Sequence, residues 1–315
     1  MRRSLETCVG SVRLDNPVMA ASGCFGTGAE LLGTVDASRL GAVVTKSMSA
    51  QPWAGNPPPR LHPAAGGMLN AVGLQNPGVE RWIADAMPRL VDAGVRVVAS
   101  IWGHTVADFE EVAAAVAAVG DRLAAVEVNL SCPNLGGGGD AASRHMFAHD
   151  PAATAAVIAA ATAVLGSVPV WAKLSPNVVT PVPAAEAAAS AGAEAVVLTN
   201  TLIGLAIDAR TLRPVLANGT GGLSGPPLRP VALRMVYEVA AALPEVPVIG
   251  VGGISTAAHV VEYLAAGAAA VQVGAAHLAD PRAGLRILAR LPKALARCGR
   301  SSVADLVGAA HGGRR

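Results

Sequence analysis

Short apolar runs recur along the chain. Between most of them lie longer segments whose apolar positions return every three or four residues. The first pattern is that of strands, the second that of amphipathic helices. Strands are expected at residues 17–21, 41–45, 95–101, 123–128, 168–174, 195–199, 246–251 and 269–273. Helices are expected at residues 30–36, 79–93, 106–119, 154–165, 183–191, 227–243, 256–266 and 285–296. Asp150-Pro151 offers a cap and a first-turn proline to the helix at 154–165. The strands are apolar on both faces, as strands covered on both sides are. Eight strand–helix units in succession predict an α/β chain folded as a (β/α)8 TIM barrel, a single domain over residues 1–315. A doubly wound sheet competes, but no Gly-x-Gly-x-x-Gly follows the first strand to support it. Roughly residues 300–315 read as a C-terminal tail whose end need not be ordered. The long Pro/Gly-rich segment at 51–77 is too long for an idle connection and is expected to be functional.

Composition narrows the class. Of 315 residues, 52% are hydrophobic and 15% charged, which fits a globular chain and not a disordered one. The net charge is +2 and no Lys/Arg block stands out, so neither nucleic acid nor an anionic membrane is an expected partner. Cys8, Cys24, Cys132 and Cys298 lie far apart without metal-ligand spacing; no metal site and a reducing, cytoplasmic location are expected. Residues 1–12 contain two arginines but no apolar core, unlike a signal peptide. Residues 151–172 are uncharged and long enough to raise the question of a membrane span. Gly166, Ser167 and Pro169 break them, and a helix followed by a strand is the expected reading.

In such a barrel, chemistry gathers at the C-terminal ends of the strands. The unusual residues of this chain fall there. Asn129-Leu130-Ser131-Cys132-Pro133-Asn134 follows the fourth strand and runs into four glycines. Ser22 follows the first strand, Lys46 the second, Lys173 lies near the end of the fifth, and Asn200-Thr201 follows the sixth. Only three lysines occur in the chain, and two of them are at these strand ends. Taken alone, Cys132 also fits a small buried hydrophobe, and a strand-end lysine an ion-pair partner. Gly252-Gly253-Ile254-Ser255 opens a helix and Gly274-Ala275 follows the eighth strand, where this barrel commonly binds phosphate; tight turns would use the same glycines. A second glycine-rich stretch, residues 218–225, could close over the same ligand.

These pieces resemble the soluble, first-class dihydroorotate dehydrogenases. The resemblance runs in order from about residue 16 to 275. It is carried by Asn16-Pro17 through Gly23, Thr45-Lys46-Ser47, Gly55-Asn56-Pro57 with Arg60, and residues 68–78 (MLNAVGLQNPG). It continues through Asn129 to Asn134, the surroundings of Lys173, Asn200-Thr201, residues 216–225, Gly252 to Ser255, and Val271 to Gly274. It implies an FMN enzyme that oxidises dihydroorotate to orotate in pyrimidine synthesis. Cys132 would be the catalytic base taking the proton from substrate C5, with hydride passing from C6 to flavin N5. The substrate pocket would comprise Lys46, Asn70, Ala71, Val72, Gly73, Leu74, Asn129, Asn134, Asn200 and Thr201. The FMN site would comprise Ser22, Lys46, Ser47, Asn129, Lys173, Thr199, Gly225, Gly252, Gly253, Gly274 and Ala275. Asparagines suit a planar imide, since each offers a donor and an acceptor. A lysine near flavin N1 favours the negative charge that reduction places there.

The chain departs from the family pattern in three places. Residues 140–145 lengthen the loop after Cys132, which would be the lid. Trp102 stands where the family usually has a small residue, and its indole must pack near the barrel mouth. Ala275 stands where threonine is frequent. Within the class, Thr201 and residues 218–225 resemble the type that works with an FAD/iron–sulfur electron-transfer subunit and NAD. A homodimer joined to that subunit would form a heterotetramer. A fumarate-using homodimer, a related pyrimidine-reducing flavoenzyme and a non-catalytic flavin-binding barrel are the alternatives. Strand one begins near residue 17, which leaves no room for the helical extension of the membrane-bound, quinone-using class.

Overall fold

Successive side chains of a strand point to opposite faces, and that alternation sorts eight short strands of this chain into a closed cylinder. The computed structural model describes residues 4–131 and 146–312. The barrel strands are β1 (Val18–Ala20), β2 (Val43–Val44), β3 (Val97–Ile101), β4 (Ala125–Asn129), β5 (Val170–Lys173), β6 (Ala195–Leu198), β7 (Val248–Val251) and β8 (Ala268–Val273). All pair in parallel in sequence order, and β8 closes the ring on β1. Around them lie α1 (Val79–Asp92), α2 (Val106–Ala117), α3 (Pro151–Leu165), α4 (Val182–Ser190), α5 (Arg229–Ala242), α6 (Ala257–Ala265), α7 (Ala275–Ala279) and α8 (Ala283–Arg297). The expected (β/α)8 barrel is therefore present.

One parity of each strand packs against the helices: Val126 and Val128, Val170 and Ala172, Val196 and Leu198 belong to the large outer core. The other parity fills the barrel, with Met19, Val98, Ala125, Trp171, Val197 and Ile249 in a separate inner cluster. A hairpin of Thr7–Val9 and Val12–Leu14 adds Val9, Val12 and Leu14 to that cluster and so closes the N-terminal end. At the C-terminal end the inner positions turn polar. Ser100, Glu127, Asn129, Lys173, Thr199 and Gln272 are all buried and alternate with apolar neighbours on the same strands or their extensions. This change of inner lining, from apolar below to polar above, is what makes one end of the barrel a site.

Two features were not legible in the apolar pattern. Residues 30–36 form turns, with a short 3-10 helix at Ala37–Arg39 in place of the expected helix. Gly33 penalises a helix there, and Glu30 Oε1 instead accepts from the Thr27 N–H and hydroxyl at 3.0 and 2.8 Å. Above the mouth, a four-stranded antiparallel sheet joins Leu202–Gly204, Gly221–Ser224, Gly67–Asn70 and Leu61–Ala64 in that order. It carries part of the segment 51–77 over the barrel. At the C-terminus, Val303 and Leu306 are buried and Ser302 bridges Ser4. Among the described residues no helix is long and apolar enough to cross a membrane, and no group of three or more His, Cys, Asp or Glu could hold a metal ion.

Candidate active site

The polar inner positions floor a cavity of about 270 Å³ under the antiparallel sheet. Beneath it, Lys173 Nζ donates to Glu127 Oε1 at 3.1 Å and to Gln272 Oε1 at 3.3 Å, and Gln272 Nε2 donates to Glu127 Oε2 at 2.6 Å. Three strands thus contribute one buried, mutually satisfied triad. A buried ion pair must be hydrogen-bonded on its remaining atoms to persist, and Gln272 serves both partners. Lys173 also lines the cavity, so its cation faces whatever binds there. Lys46, at the end of β2, lines it from the opposite side and is held through its backbone N–H by the Gly26 carbonyl at 2.9 Å.

A chain of short polar side chains runs across one wall. Ser47 Oγ lies 2.8 Å from Ser100 Oγ and 3.3 Å from Ser22 Oγ, and it accepts from Asn129 Nδ2 at 3.0 Å. Asn129 Oδ1 in turn accepts from the Ser131 hydroxyl at 3.1 Å and from Asn200 Nδ2 at 3.5 Å. Asn200 Nδ2 also reaches Ser131 Oγ at 3.1 Å, and Asn200 Oδ1 accepts from the Thr201 N–H at 2.9 Å. These bonds fix the amide planes. They also anchor Ser131, the residue that leads into Cys132.

The opposite wall is backbone. The carbonyls of Ala71 and Val72 accept from Asn56 Nδ2 at 3.0 Å and from the Asn56 N–H at 3.1 Å. The Gly73 carbonyl accepts from Trp53 Nε1 at 2.9 Å. In a planar trans peptide the N–H points opposite to the C=O. The N–H groups of Val72, Gly73 and Leu74 therefore turn away from the 53–56 segment, and all three residues line the cavity. Among the described residues none of the three N–H groups has a hydrogen-bond acceptor. Such a row of backbone donors is a seat for an anion.

The third wall is glycine. Gly252 and Gly253 after β7, Gly274 with Ala275 after β8, and Gly225 after the strand Gly221–Ser224 meet there. A Cβ on Gly253, which has φ +64°, would lie 2.9 Å from the Gly225 carbonyl oxygen, so the two loops touch only because that position is glycine. Cys24 is half-buried in the same wall. Burial pushes its thiol pKa up, against the pull of the Lys173 and Lys46 charges.

The cavity gathers Ser22, Lys46, Ser47, Asn70, Val72, Gly73, Leu74, Asn129, Lys173, Thr199, Asn200, Thr201, Gly225, Gly252, Gly253, Gly274 and Ala275 from distant parts of the chain. Ala71 is not in its lining; its methyl is buried with Leu69 and Leu216 under the antiparallel sheet. Cys132, Asn134 and the part of the loop 135–149 up to residue 145 lie outside the described residues. Cys24, Leu61, Met68, Ser224, Leu228 and Leu278 line the cavity without having been expected there. Glu127 and Gln272 beneath it were also unexpected. Their signal is positional: each is the polar member of a doubly apolar strand, and Glu127 has the same parity as Asn129.

Known proteins supply the context for this geometry. A family model described as dihydroorotate dehydrogenase matches residues 4–295. A protein of Trichlorobacter lovleyi, named dihydroorotate dehydrogenase B (NAD(+)), catalytic subunit, is 45% identical over 99% of this chain and 100% of its own. One of Halalkalibacterium halodurans with the same name is 45% identical over 94% of each chain. A Solibacter usitatus protein, provisionally named dihydroorotate dehydrogenase A (fumarate), is 46% identical over 98% of this chain and 99% of its own. With a barrel closed in the expected order and a match that spans it from the N-terminal hairpin into the last long helix, the chain belongs to the dihydroorotate dehydrogenase family.

Proposed function

We propose that the chain oxidises dihydroorotate to orotate with FMN in the synthesis of pyrimidines. The observation that carries this reading is the three-walled cavity itself. It offers a row of backbone N–H groups without an acceptor among the described residues for a carboxylate, fixed asparagine amides for an imide, and glycine loops over two lysines for a phosphorylated, ring-bearing cofactor. The fit to FMN rests on the third wall. Gly253 and Ala275 N–H groups have no acceptor among the described residues, and a side chain at Gly253 would fill the cradle.

When bound, FMN supplies the two-electron acceptor for the hydride that leaves substrate C6. The protein does the rest. Val72, Gly73 and Leu74 hold the substrate carboxylate through their N–H groups. Asn70, Asn129 and Asn200, with Asn134, orient the imide by pairing donors with acceptors. Cys132 takes the C5 proton as a base, so that one proton and one hydride leave and the C5–C6 double bond forms. Lys173 keeps a positive charge under the site where reduction adds negative charge. Cys24 is unsuited to the base's role, because a thiol whose pKa is raised by burial stays protonated near neutral pH.

The onward step takes electrons to NAD through an FAD/iron–sulfur partner subunit, in a cytoplasmic complex built on a homodimer of this chain. The names of several relatives as NAD-linked catalytic subunits support it. The fumarate-type relative supports the second reading, in which fumarate takes the electrons at the same mouth. The purified yellow protein, kept free of oxygen, is expected to bleach on addition of dihydroorotate. A flavin that stays oxidised would overturn the proposal.

A further inference from the structure

Gly73 is held by an indole. Besides the bond from Trp53 Nε1 to the Gly73 carbonyl, the Trp53 backbone exchanges two hydrogen bonds with Asn76, at 3.0 and 2.9 Å. Trp53 is 41% exposed, and edge-on contacts fix its ring. Its centroid lies 5.7 Å from that of Trp102 and 5.2 Å from that of His104, which are 4.9 Å apart. Trp102 is itself buried, and its backbone N–H donates to the Met48 carbonyl at 3.0 Å. The large side chain at position 102 thus packs under Trp53.

The peptide between Gly73 and Leu74 needs such a hold. Leu74 has φ +58°, a conformation that costs any side chain other than glycine. Flipping that one peptide would return Leu74 to negative φ. The same flip would swing the Leu74 N–H out of the cavity and the Gly73 carbonyl into it, replacing a donor to an anion with an acceptor. The indole N–H bonds to the carbonyl only in the unflipped state.

We propose that Trp53 is a positioning residue for the substrate carboxylate: its indole N–H, braced by Trp102 and His104, locks the Gly73–Leu74 peptide with the Leu74 N–H facing the cavity. This rests on the reading of the cavity as a dihydroorotate site. Trp53→Phe keeps the ring and removes the donor. The flavin-loaded variant is expected to bind orotate about three- to tenfold more weakly, the effect of one neutral hydrogen bond. Its KM for dihydroorotate should rise by a similar factor with kcat little changed and flavin content unaltered. Uracil, which lacks the carboxylate, should bind variant and wild type alike. Equal orotate affinity in the two proteins overturns the role of Trp53 alone, and so does an equal loss for orotate and uracil. A wild-type flavin band that ignores orotate overturns the substrate reading and this inference with it. In the wild-type holoenzyme the Trp53 indole N–H resonance should shift on saturation with orotate; a resonance that stays put refutes the lock whether or not the variant folds.

Discussion

A buried lysine that pairs with a buried carboxylate holds the fold, and on the proposed function it also faces the cofactor, so deleting it confounds the two roles. Lys173→Ala would leave the fully buried Glu127 carboxylate without its counter-charge, with Gln272 as its remaining hydrogen-bond partner among the described residues. Breaking such a pair costs about 3–5 kcal/mol, so lower flavin content in that variant would report instability as much as lost contact. The double variant Lys173→Ala/Glu127→Gln removes both charges. It is expected to recover much of the thermal stability while still holding flavin more weakly than wild type. Full flavin affinity in a stable double variant would detach Lys173 from the cofactor. Glu127→Gln alone leaves the Lys173 cation without its counter-charge. The flavin midpoint potential should then rise, because the reduced, more negative form gains most; redox titration against wild type checks the direction. The two thiols separate in the same way. Cys132→Ser should slow flavin reduction by dihydroorotate by orders of magnitude near neutral pH, and less as pH rises, because a serine hydroxyl is a much poorer base. Cys24→Ser, by contrast, should leave the reduction rate within a small factor of wild type. Rapid-mixing absorbance of the flavin band measures both, and a slow Cys24 variant with a fast Cys132 variant would reverse the assignment.

At the scale of elements, the last loop shows how a buried histidine ties the glycine wall of the cavity to stability. His277 sits on α7, two residues beyond Ala275, and is only 2% exposed. Its Nδ1 lies 2.9 Å from the Val273 carbonyl, to which it donates, and its Nε2 accepts from the Gly284 N–H at 3.0 Å. Both ring nitrogens are committed to the neutral form, and burial lowers the pKa below the ordinary 6.5. The unfolded chain therefore binds the proton first on acidification. The stability that His277 contributes is complete above pH 6.5 and is lost as pH falls from there toward the folded value. The thermal midpoint should drop through that window, and His277→Gln should flatten the drop. His259, also lowered by burial and by Arg229, keeps the slope from vanishing. An identical pH dependence in the variant would exclude His277 as a source. The strands around this loop were legible from sequence because a short, largely apolar run that ends at glycine has few other uses. The antiparallel sheet was not: its strands are three or four residues long, and Gly67, Gly204, Gly221 and Gly222 erase the alternation. Its register, Asn70 opposite Gly222, also pairs segments far apart in the chain. Lys173 was legible as a lysine at the C-terminal end of a barrel strand. Its pairing with Glu127 and Gln272 needed the barrel's closure, which brings β4, β5 and β8 around one axis.

For the whole molecule the open question is where the electrons go, and the chain's own chemistry bounds the answer. Cys8, Cys24, Cys132 and Cys298 are scattered, whereas an iron–sulfur cluster needs four clustered ligands. No strand–Gly-x-Gly-x-x-Gly–helix unit provides a dinucleotide site. On the proposed function, one flavin in one cavity would then have to hand its electrons to a small oxidant entering the mouth or to a docked protein. The relatives divide along this line, some named for NAD and one for fumarate, at nearly equal identity. Overall similarity therefore does not choose between them, and the choice falls to turnover. With dihydroorotate as donor, the isolated chain is expected to reduce artificial dyes or oxygen, and to reduce neither NAD nor fumarate efficiently. An FAD/iron–sulfur subunit added to it should restore NAD reduction, through a complex that brings its cluster near the flavin edge. Steady-state rates with each acceptor, before and after that addition, decide the matter. Efficient NAD reduction by the chain alone would remove the need for a partner. Efficient fumarate reduction would place the chain with the homodimeric type, and the same cavity would then have to admit fumarate after orotate has left.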